Sequence, residues 1–355
     1  MSIYIKSASG ISPQLLYGDS SLLPAITPKP GNRLSCVEPD YSAIIDVKLI
    51  RRMSRIIKMG VAAAMQCLKE AELQMPDTIV TGTAYGCLQD TEIFLTRLIE
   101  FKEELLTPTS FIQSTHNTVS AQIALVLQCH HYNNTYVHKG FSFETALLDA
   151  MMMMQENEIS NALVGGVDEI TDSSHAILSR FGLYKKENAS TDTLYESNTK
   201  GTIAGEGAVF FTLSIEASEK NMARLDAVTT FYKPAEIKET EAHILTFLSS
   251  QSLTVNDIDL IITGKNGDTI NDTVYDQVLT SAFANKQAIN FKHLCGEYPT
   301  ASAYGLWLGA AIIKAGAVPE SFLQQTAENR NPIKKLLLYN HYQNKHHSLF
   351  LLSAC

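Results

Sequence analysis

Few residues of this chain stand where they could do covalent chemistry. Cys295 lies two positions before Glu297 in Cys-Gly-Glu, and a thiol there could accept an acyl group if its surroundings favoured the thiolate. Ser142 stands in Gly-Phe-Ser-Phe-Glu, which lacks the Gly-x-Ser-x-Gly frame of a hydrolase turn. Cys129-His130-His131 and His346-His347 carry metal-type side chains, but adjacent residues point different ways, so no metal site is expected. Cys87 reads as a buried small apolar residue. The other chemical cluster is cationic. Lys48, Arg51, Arg52, Arg55 and Lys58 recur at i, i+3, i+4, i+7 and i+10, which on one continuous helix puts five charges on one face. Like charges so placed cost a few tenths of a kcal/mol per pair (about 0.2–0.5). The face is therefore either a docking surface or a plain solvated one.

The elements that must position these residues read as alternating strands and helices. IYIKSA is a first strand, and a helix is expected over roughly 43–74, with Ile50, Met53, Ile57, Ala64 and Leu68 at helical spacing and Pro76 just beyond its end. DTIVTGTAY reads as a buried strand, 90–104 as a helix, LLTPTSFIQST as a loop and NTVSAQIALVLQ as a helix. Residues 135–166 read as strand, sharp turn, Met-rich helix and the strand ALVGGVDEI, with GEGAVFFTLS (205–214) after them. The rest alternates again: LDAVTTFY, helix 239–250, DLIITG, helix 272–285, AINF, helix 302–315, and the strands KKLLLYN and SLFLLSA. Such alternation implies a largely parallel sheet with helices on its faces. Met151–Met154 is expected to cover all sides of a buried helix.

Composition narrows the classes. At 355 residues the chain suits two domains or one large layered unit. The 28 basic and 37 acidic residues give a net charge of −9, which disfavours a general nucleic-acid binder. No apolar run reaches the roughly 18–20 residues of a membrane span. The start, MSIYIKSASGISPQLLYG, has no apolar stretch behind a basic head, so no signal peptide is expected. Six scattered cysteines read as reduced thiols, and a cytoplasmic location is expected.

Several segments, in order, resemble the β-ketoacyl synthase (condensing enzyme) family. SASGISPQ is similar to its opening strand and turn. TPTSFIQSTHNTVSAQIAL is similar to the loop and helix lining its dimer interface, and GTIAGEGAVFFTLS to its G-E-G-A strand. IDLIITGKNGDTINDT stands where the family has a strand followed by His-Gly-Thr-x-Thr. NFKHLCGEYPTASAYGLWLGAA stands where it has Lys-x-x-x-Gly-His and a small-residue helix. The resemblance implies an α/β fold with thiolase-like duplicated βαβαβ halves in a five-layered α-β-α-β-α core. The halves would be 1–218, carrying the nucleophile turn, and 219–355, carrying the His positions and a gate loop.

Active members use a Cys and two His, and this chain departs at all three places. Counting back from Gly165-Gly166 puts Lys139-Gly140 at the Cys, and no Cys occurs between Cys129 and Cys295. Gly264, or Lys265 after a one-residue slip, stands at the first His and Glu297 at the second; only the partner Lys, Lys292, is kept. A Glu is anionic unless strongly desolvated and cannot donate to an enolate oxygen as a neutral His does. Lys139, if it points inward, is expected to pair with Glu144 or Glu297. The gate segment, YNHYQNKHHSLFLL, has no Gly and should form a fixed wall.

The pattern resembles the chain-length factor, the inactive partner of a Cys-bearing ketosynthase, and is most like those of aryl-polyene and flexirubin-type pathways. The resemblance implies a ketosynthase heterodimer that elongates carrier-bound chains by decarboxylative Claisen condensation, with no bound cofactor and phosphopantetheine delivered by an acyl carrier protein. It marks Phe111, Ser114, Thr115 and His116 as tunnel-end or interface residues, and Lys48, Arg51, Arg52 and Arg55 as carrier-docking candidates. Two alternatives stay open. One is a divergent synthase or acyltransferase using a nucleophile such as Cys295. The other is a homodimeric acyl-binding scaffold, and whether the chain forms a homodimer when the ketosynthase is absent also stays open.

Overall fold

The computed structural model describes all residues except 15, 17–22, 24–25, 105, 187–188, 320–321 and 323–331. Its strands are β1 (Ile3–Ile11), β2 (Thr78–Gly82), β3 (Tyr132–Tyr136), β4 (Asn161–Asp168), β5 (Gly207–Ser214), β6 (Ala223–Tyr232), β7 (Leu260–Thr263), β8 (Gln287–Asn290), β9 (Lys335–Tyr342) and β10 (His346–Ser353). They join in one sheet of order β3-β2-β4-β5-β1-β6-β10-β9-β7-β8.

That order is a duplication. β1–β5 run 3-2-4-5-1 from one end of the sheet, and β6–β10 run 8-7-9-10-6 from the other. Pair directions match as well: β2 lies parallel to β3 and β4, as β7 does to β8 and β9, while β5 is antiparallel to β1 and β4, as β10 is to β6 and β9. The sequence halves show no clear self-similarity, so the repeat lives in topology alone.

The sheet is not largely parallel as the alternation implied. Its four middle strands pair antiparallel, because β5 and β10 each run back against their neighbours. Helices explain the layers. Ser142–Gln155 and Ser302–Ala315 lie between the two half-sheets and share one core with both, including Phe143, Leu147, Leu306, Phe211 and Phe350. Arg55–Glu70 and Thr118–Leu127 cover the outside of the first half, where Ile57, Val61 and Ile123 pack on Leu163 and Phe210. Ile237–Ser250 and Thr273–Thr280 cover the outside of the second, where Ile244 and Val274 pack on Leu337 and Leu351. The result is the expected five-layered α-β-α-β-α order.

Local expectations shift in places. The helix expected over 43–74 is two: Val47–Ile50, capped by the Asp46 carboxylate accepting from the Lys48 N–H, then a turn, then Arg55–Glu70. LLTPTSFIQST holds a short helix, Pro108–Gln113, with Pro at its first position, where a missing N–H costs nothing. Met151 and Met154 are core, but Met152 is 57% exposed, so the Met run does not bury on all sides. Among the described residues no helix is long and apolar enough to cross a membrane.

Candidate functional site

The turn between β3 and the helix Ser142–Gln155 is a single 3-10 turn, Lys139–Phe141. Ser142 ties it: its hydroxyl accepts from the His138 N–H at 2.8 Å and donates to the Lys139 carbonyl at 2.8 Å. Buried and committed at both ends, Ser142 is no nucleophile. Gly140 is glycine for a steric reason. A Cβ there would lie 2.6 Å from the Tyr342 Cβ and 3.0 Å from the His346 Cβ. Lys139 points outward and is exposed with φ of 51°, and it pairs with neither Glu144 nor Glu297. The expected ion pair is absent because Glu297 is already taken from inside and Glu144 lies on the buried face of its helix.

Position 264 repeats the theme. A Cβ on Gly264 would overlap the Asn340 amide oxygen and lie 2.7 Å from the Tyr275 hydroxyl. Lys265, the alternative after a frame slip, reaches away to Asp276 at 2.6 Å. At the third position Glu297 accepts from Lys292 Nζ at 2.8 and 2.7 Å and from the Asn266 amide at 2.6 Å, while Lys292 also donates to the His341 carbonyl at 3.0 Å. Both side chains are buried, so each neutralises what would otherwise be a lone interior charge. Burial pushes the Glu297 carboxyl up, and Lys292 opposes that. Cys295 is fully buried, its thiol donates to the Gly296 carbonyl at 3.3 Å, and burial raises its pKa well above the ordinary thiol value.

The 264–272 segment is pinned rather than loose. Asp272 accepts from the Asn266 and Gly267 N–H groups at 2.9 and 2.8 Å, and Asp268 from Gly201 N–H at 2.6 Å. Lys185, 2% exposed, donates to Thr199 Oγ1 at 2.8 Å and to the Ser197 hydroxyl and Gly267 carbonyl, each at 3.0 Å. The segment YNHYQNKHHSLFLL is the β9–β10 hairpin, with His346 opposite Tyr342. Gln343 and Asn344 turn it in left-handed conformations, and the Asn344 N–H donates to His341 Nδ1 at 3.1 Å. His346 packs inward on the Phe141 ring at 4.8 Å and His347 outward on Phe231 at 4.8 Å, opposite faces that rule out a shared ion.

Two clefts adjoin these positions and share Tyr184. One, of about 210 Å³, is polar, with Asn266, Asp268, Glu297, Tyr342 and Lys345 in its wall. The other, of about 140 Å³, is apolar, with Tyr85, Leu88, Ile170, Ile177 and Tyr298 in its wall. That second volume is close to the roughly 150 Å³ cavity that holds a benzene ring. Asp168 and Glu169 border it. Asp168 joins three segments, accepting from Ala84 N–H at 2.8 Å, Thr83 Oγ1 at 3.1 Å and Thr300 Oγ1 at 2.8 Å, and burial lifts it to about 6. Burial lifts Glu169 to about 7. The sequence reading missed this pair, although two successive carboxylates ending a buried strand, Val-Asp-Glu-Ile, were a visible signal.

The remaining candidates are scattered around these clefts. Phe111 is 56% exposed and packs on Phe94 at 5.3 Å between ring centres; Thr115 and His116 are exposed and Ser114 is half-buried. His116 also covers Gly86, its Cα 3.0 Å from where a Cβ would be, beside the Tyr85–Leu88 wall. The basic stripe is not one helix face. Lys48, Arg51 and Arg52 are exposed, but Arg55 is bound to Glu206 at 2.7 and 2.6 Å and to Glu38 at 2.5 Å. Glu206 also accepts from the Cys36 and Ile170 N–H groups, so Arg55 is a clamp inside the fold.

Residues 34–184 match the model of the β-ketoacyl synthase N-terminal domain. No curated protein matches the sequence. The fold is that of ketosynthase chains. "The ishigamide ketosynthase/chain length factor" matches with TM-score 0.83 and 17% identity over 100% of this chain and 99% of the other. A ketosynthase in complex with its chain length factor from Xenorhabdus doucetiae matches with TM-score 0.75 and 15% identity over 100% and 98%. A type II PKS acyl-carrier protein in complex with its ketosynthase bound to the hexaketide matches with TM-score 0.71 and 13% identity over 100% and 99%. The resemblance to the condensing-enzyme family read from the sequence is borne out, as is the thiolase-like α/β fold.

Proposed function

We propose that this chain is a non-catalytic, chain-length-factor-like subunit that pairs with a Cys-bearing ketosynthase. The observation that carries the reading is the filled space at the three positions matched by resemblance to the catalytic Cys and two His. Tyr342 and His346 occupy the space beside Gly140, Asn340 that beside Gly264, and Lys292 holds Glu297. In the complex the partner's Cys thioester would be attacked by the enolate that malonyl-carrier forms on losing CO2. The new C–C bond would leave a β-ketoacyl-carrier and a free thiolate on the partner. This subunit would supply tunnel wall. Phe111, Ser114, Thr115 and His116 are its proposed tunnel-end and interface residues, supported by the exposure of Phe111, Thr115 and His116 along one connected segment and by the apolar cleft walled by Tyr85 and Leu88. Lys48, Arg51 and Arg52 are proposed carrier contacts; Arg55 leaves that set because it is held by Glu206. Products of the aryl-polyene or flexirubin type, a cytoplasmic location, two units at 1–218 and 219–355, and a homodimer when the ketosynthase is absent complete the proposal.

The alternative of acyl transfer on Cys295 has little support, since the thiol is buried, hydrogen-bonded and hard to ionise. One native mass spectrum separates the readings. The chain is co-expressed with the Cys-bearing ketosynthase of its own genome and given an acyl-carrier donor. A one-to-one complex with acyl mass on the partner alone supports the proposal. Acyl mass on this chain overturns it, and a dimer of this chain that ignores the ketosynthase favours the scaffold reading.

A further inference from the structure

Glu144 has no role in the reading above, yet it sits where the two halves of the fold meet. It belongs to the first turn of Ser142–Gln155, in the first half, and is fully buried. Its carboxyl faces two hydroxyls of the second half: Ser302, at the start of Ser302–Ala315, and Ser348, on β10. Ser348 stands opposite Asn340 on β9 and Thr230 on β6, and His346 opposite Tyr342. Strand residues two apart share a face, as do directly paired ones. Ser348 therefore lies on the inner face of the hairpin with His346, Asn340 and Tyr342. Those three side chains fill the space beside Gly140 and Gly264. Glu144 thus reaches the hairpin in the middle of its seat.

One ammonium serves two buried carboxyls here. Lys292 lies 2.8 and 2.7 Å from the Glu297 oxygens; on Glu144 it acts through space, after burial and the hydroxyls. The other described elements packed on this end of the helix bring hydroxyls, neutral rings or a carboxyl. β2 ends in Gly82, against the backbone of Ser142 and Phe143. β4 ends in Asp168, which is taken up by Ala84, Thr83 and Thr300. The turn faces Lys139 outward. On the hairpin, burial holds the inner His346 below the ordinary histidine value, and His341 and His347 lie on the outer face. A buried carboxyl without an adjacent cation is cheaper as the neutral acid than as the anion. As the acid it has one O–H to donate and oxygens to accept, which suits two hydroxyls.

We propose that Glu144 is a proton-dependent latch on the β9–β10 hairpin. Protonated, it holds the hairpin of the second half against Gly140 in the first. When the O–H proton passes to solvent, the carboxylate left between Ser302 and Ser348 draws water in, and the hairpin loosens. Tyr342 also stands in the wall of the 210 Å³ polar cleft, so loosening widens that cleft. The sign follows from linkage. Closed, the carboxyl is raised by burial to about 7; open, it meets water and returns towards 4.5. Opening is therefore tied to loss of a proton and grows as pH rises through 7. The latch needs neither a ligand nor a partner chain.

Hydrogen exchange on the full chain tests this. Amide protection is read in β9 and β10, with β2 and β4 as the internal reference, at pH 5.5 and 8 and corrected for intrinsic exchange. The expected result is hairpin protection at least about tenfold lower at the higher pH, relative to the reference strands. Glu144→Gln should abolish the difference. Glu169→Gln, which removes another carboxyl raised by burial to about 7, should leave it in place. Hairpin protection that keeps pace with the reference strands at both pH values overturns the proposal. So does an equal loss in Glu144→Gln, or its disappearance in Glu169→Gln. A further variant, Ser302→Ala with Ser348→Ala, keeps the carboxyl and removes its donors, so the midpoint of the loss should move to higher pH. An unmoved midpoint overturns the latch even where Glu144→Gln does not fold.

Discussion

The ammonium of Lys292 lies 2.8 and 2.7 Å from the two carboxylate oxygens of Glu297, and both side chains are buried, with only a sliver of Glu297 in the wall of the polar cleft. Removing one member leaves the other as an unpaired buried charge, which costs about 3–5 kcal/mol, whereas an apolar pair of similar volume is often tolerated. Glu297→Leu and Lys292→Met should each lower stability by that amount, and the double variant should recover much of the loss. Urea unfolding of the four proteins checks this; additive losses would mean the two groups do not act as a pair.

Placing the family's Cys and His at the positions matched to them by resemblance should fail sterically. Gly140→Cys and Gly264→His place atoms where the Tyr342, His346 and Asn340 side chains already are. Each should destabilise by about 1–3 kcal/mol or more through overpacking, and the double variant should take no acyl group from a thioester donor. Intact-mass measurement decides, and stoichiometric acylation would show that the space opens.

Glu144 is fully buried, its carboxyl faces the Ser302 and Ser348 hydroxyls, and burial outweighs their effect and raises it from 4.5 to about 7. A folded pKa above the unfolded one means its contribution is fully present below about pH 4.5 and is lost as pH rises through 7. Glu144→Gln should therefore stabilise more at pH 8 than at pH 5, by a difference of about 1–3 kcal/mol. Thermal melts of both proteins at the two pH values test it; parallel shifts would refute it.

His347 carries the opposite sign. It is buried, bonded to the Tyr339 hydroxyl at 3.0 Å, and burial lowers it from 6.5 to about 4. The unfolded chain binds the proton first, so stability falls as pH drops from 6.5 towards 4. His347→Phe should flatten that part of the acid limb. A variant whose loss between pH 6.5 and 4 equals wild type would assign acid sensitivity elsewhere, for instance to His341, which burial also depresses.

Phe111 is exposed on the short helix Pro108–Gln113, proposed to lie at the tunnel end. Phe111→Ala in the heterodimer should lengthen the products, read by mass spectrometry of released chains. An unchanged profile removes it as the cap.

Helix periodicity and segment order were legible in the sequence; filled space was not. Ser302–Ala315 sits where the small-residue run predicted it, because every turn of that helix is buried and its composition follows. The break at Arg51–Ser54 was hidden, since those residues suit a helix; Asp46 caps the first helix, and Arg55 is held from a distance by Glu206. The sequence shows that Gly264 is not His, but not that Asn340, from a strand near the other end of the chain, fills the place. The pairing of Lys139 with Glu144 or Glu297 required it to point inward, and the turn faces it out.

The contacts of Gly140 and Gly264 also bear on how such a sequence can drift. A side chain at Gly140 meets the Cβ atoms of Tyr342 and His346, so it needs glycine or a backbone shift on the β9–β10 hairpin, and one at Gly264 needs both Asn340 and Tyr275 to give way. Two coordinated substitutions are far rarer than one. The hairpin therefore works as a ratchet: with it seated against bare backbone, any single step to a bulkier residue at either glycine is uphill, and tolerated change is channelled to the exposed surfaces.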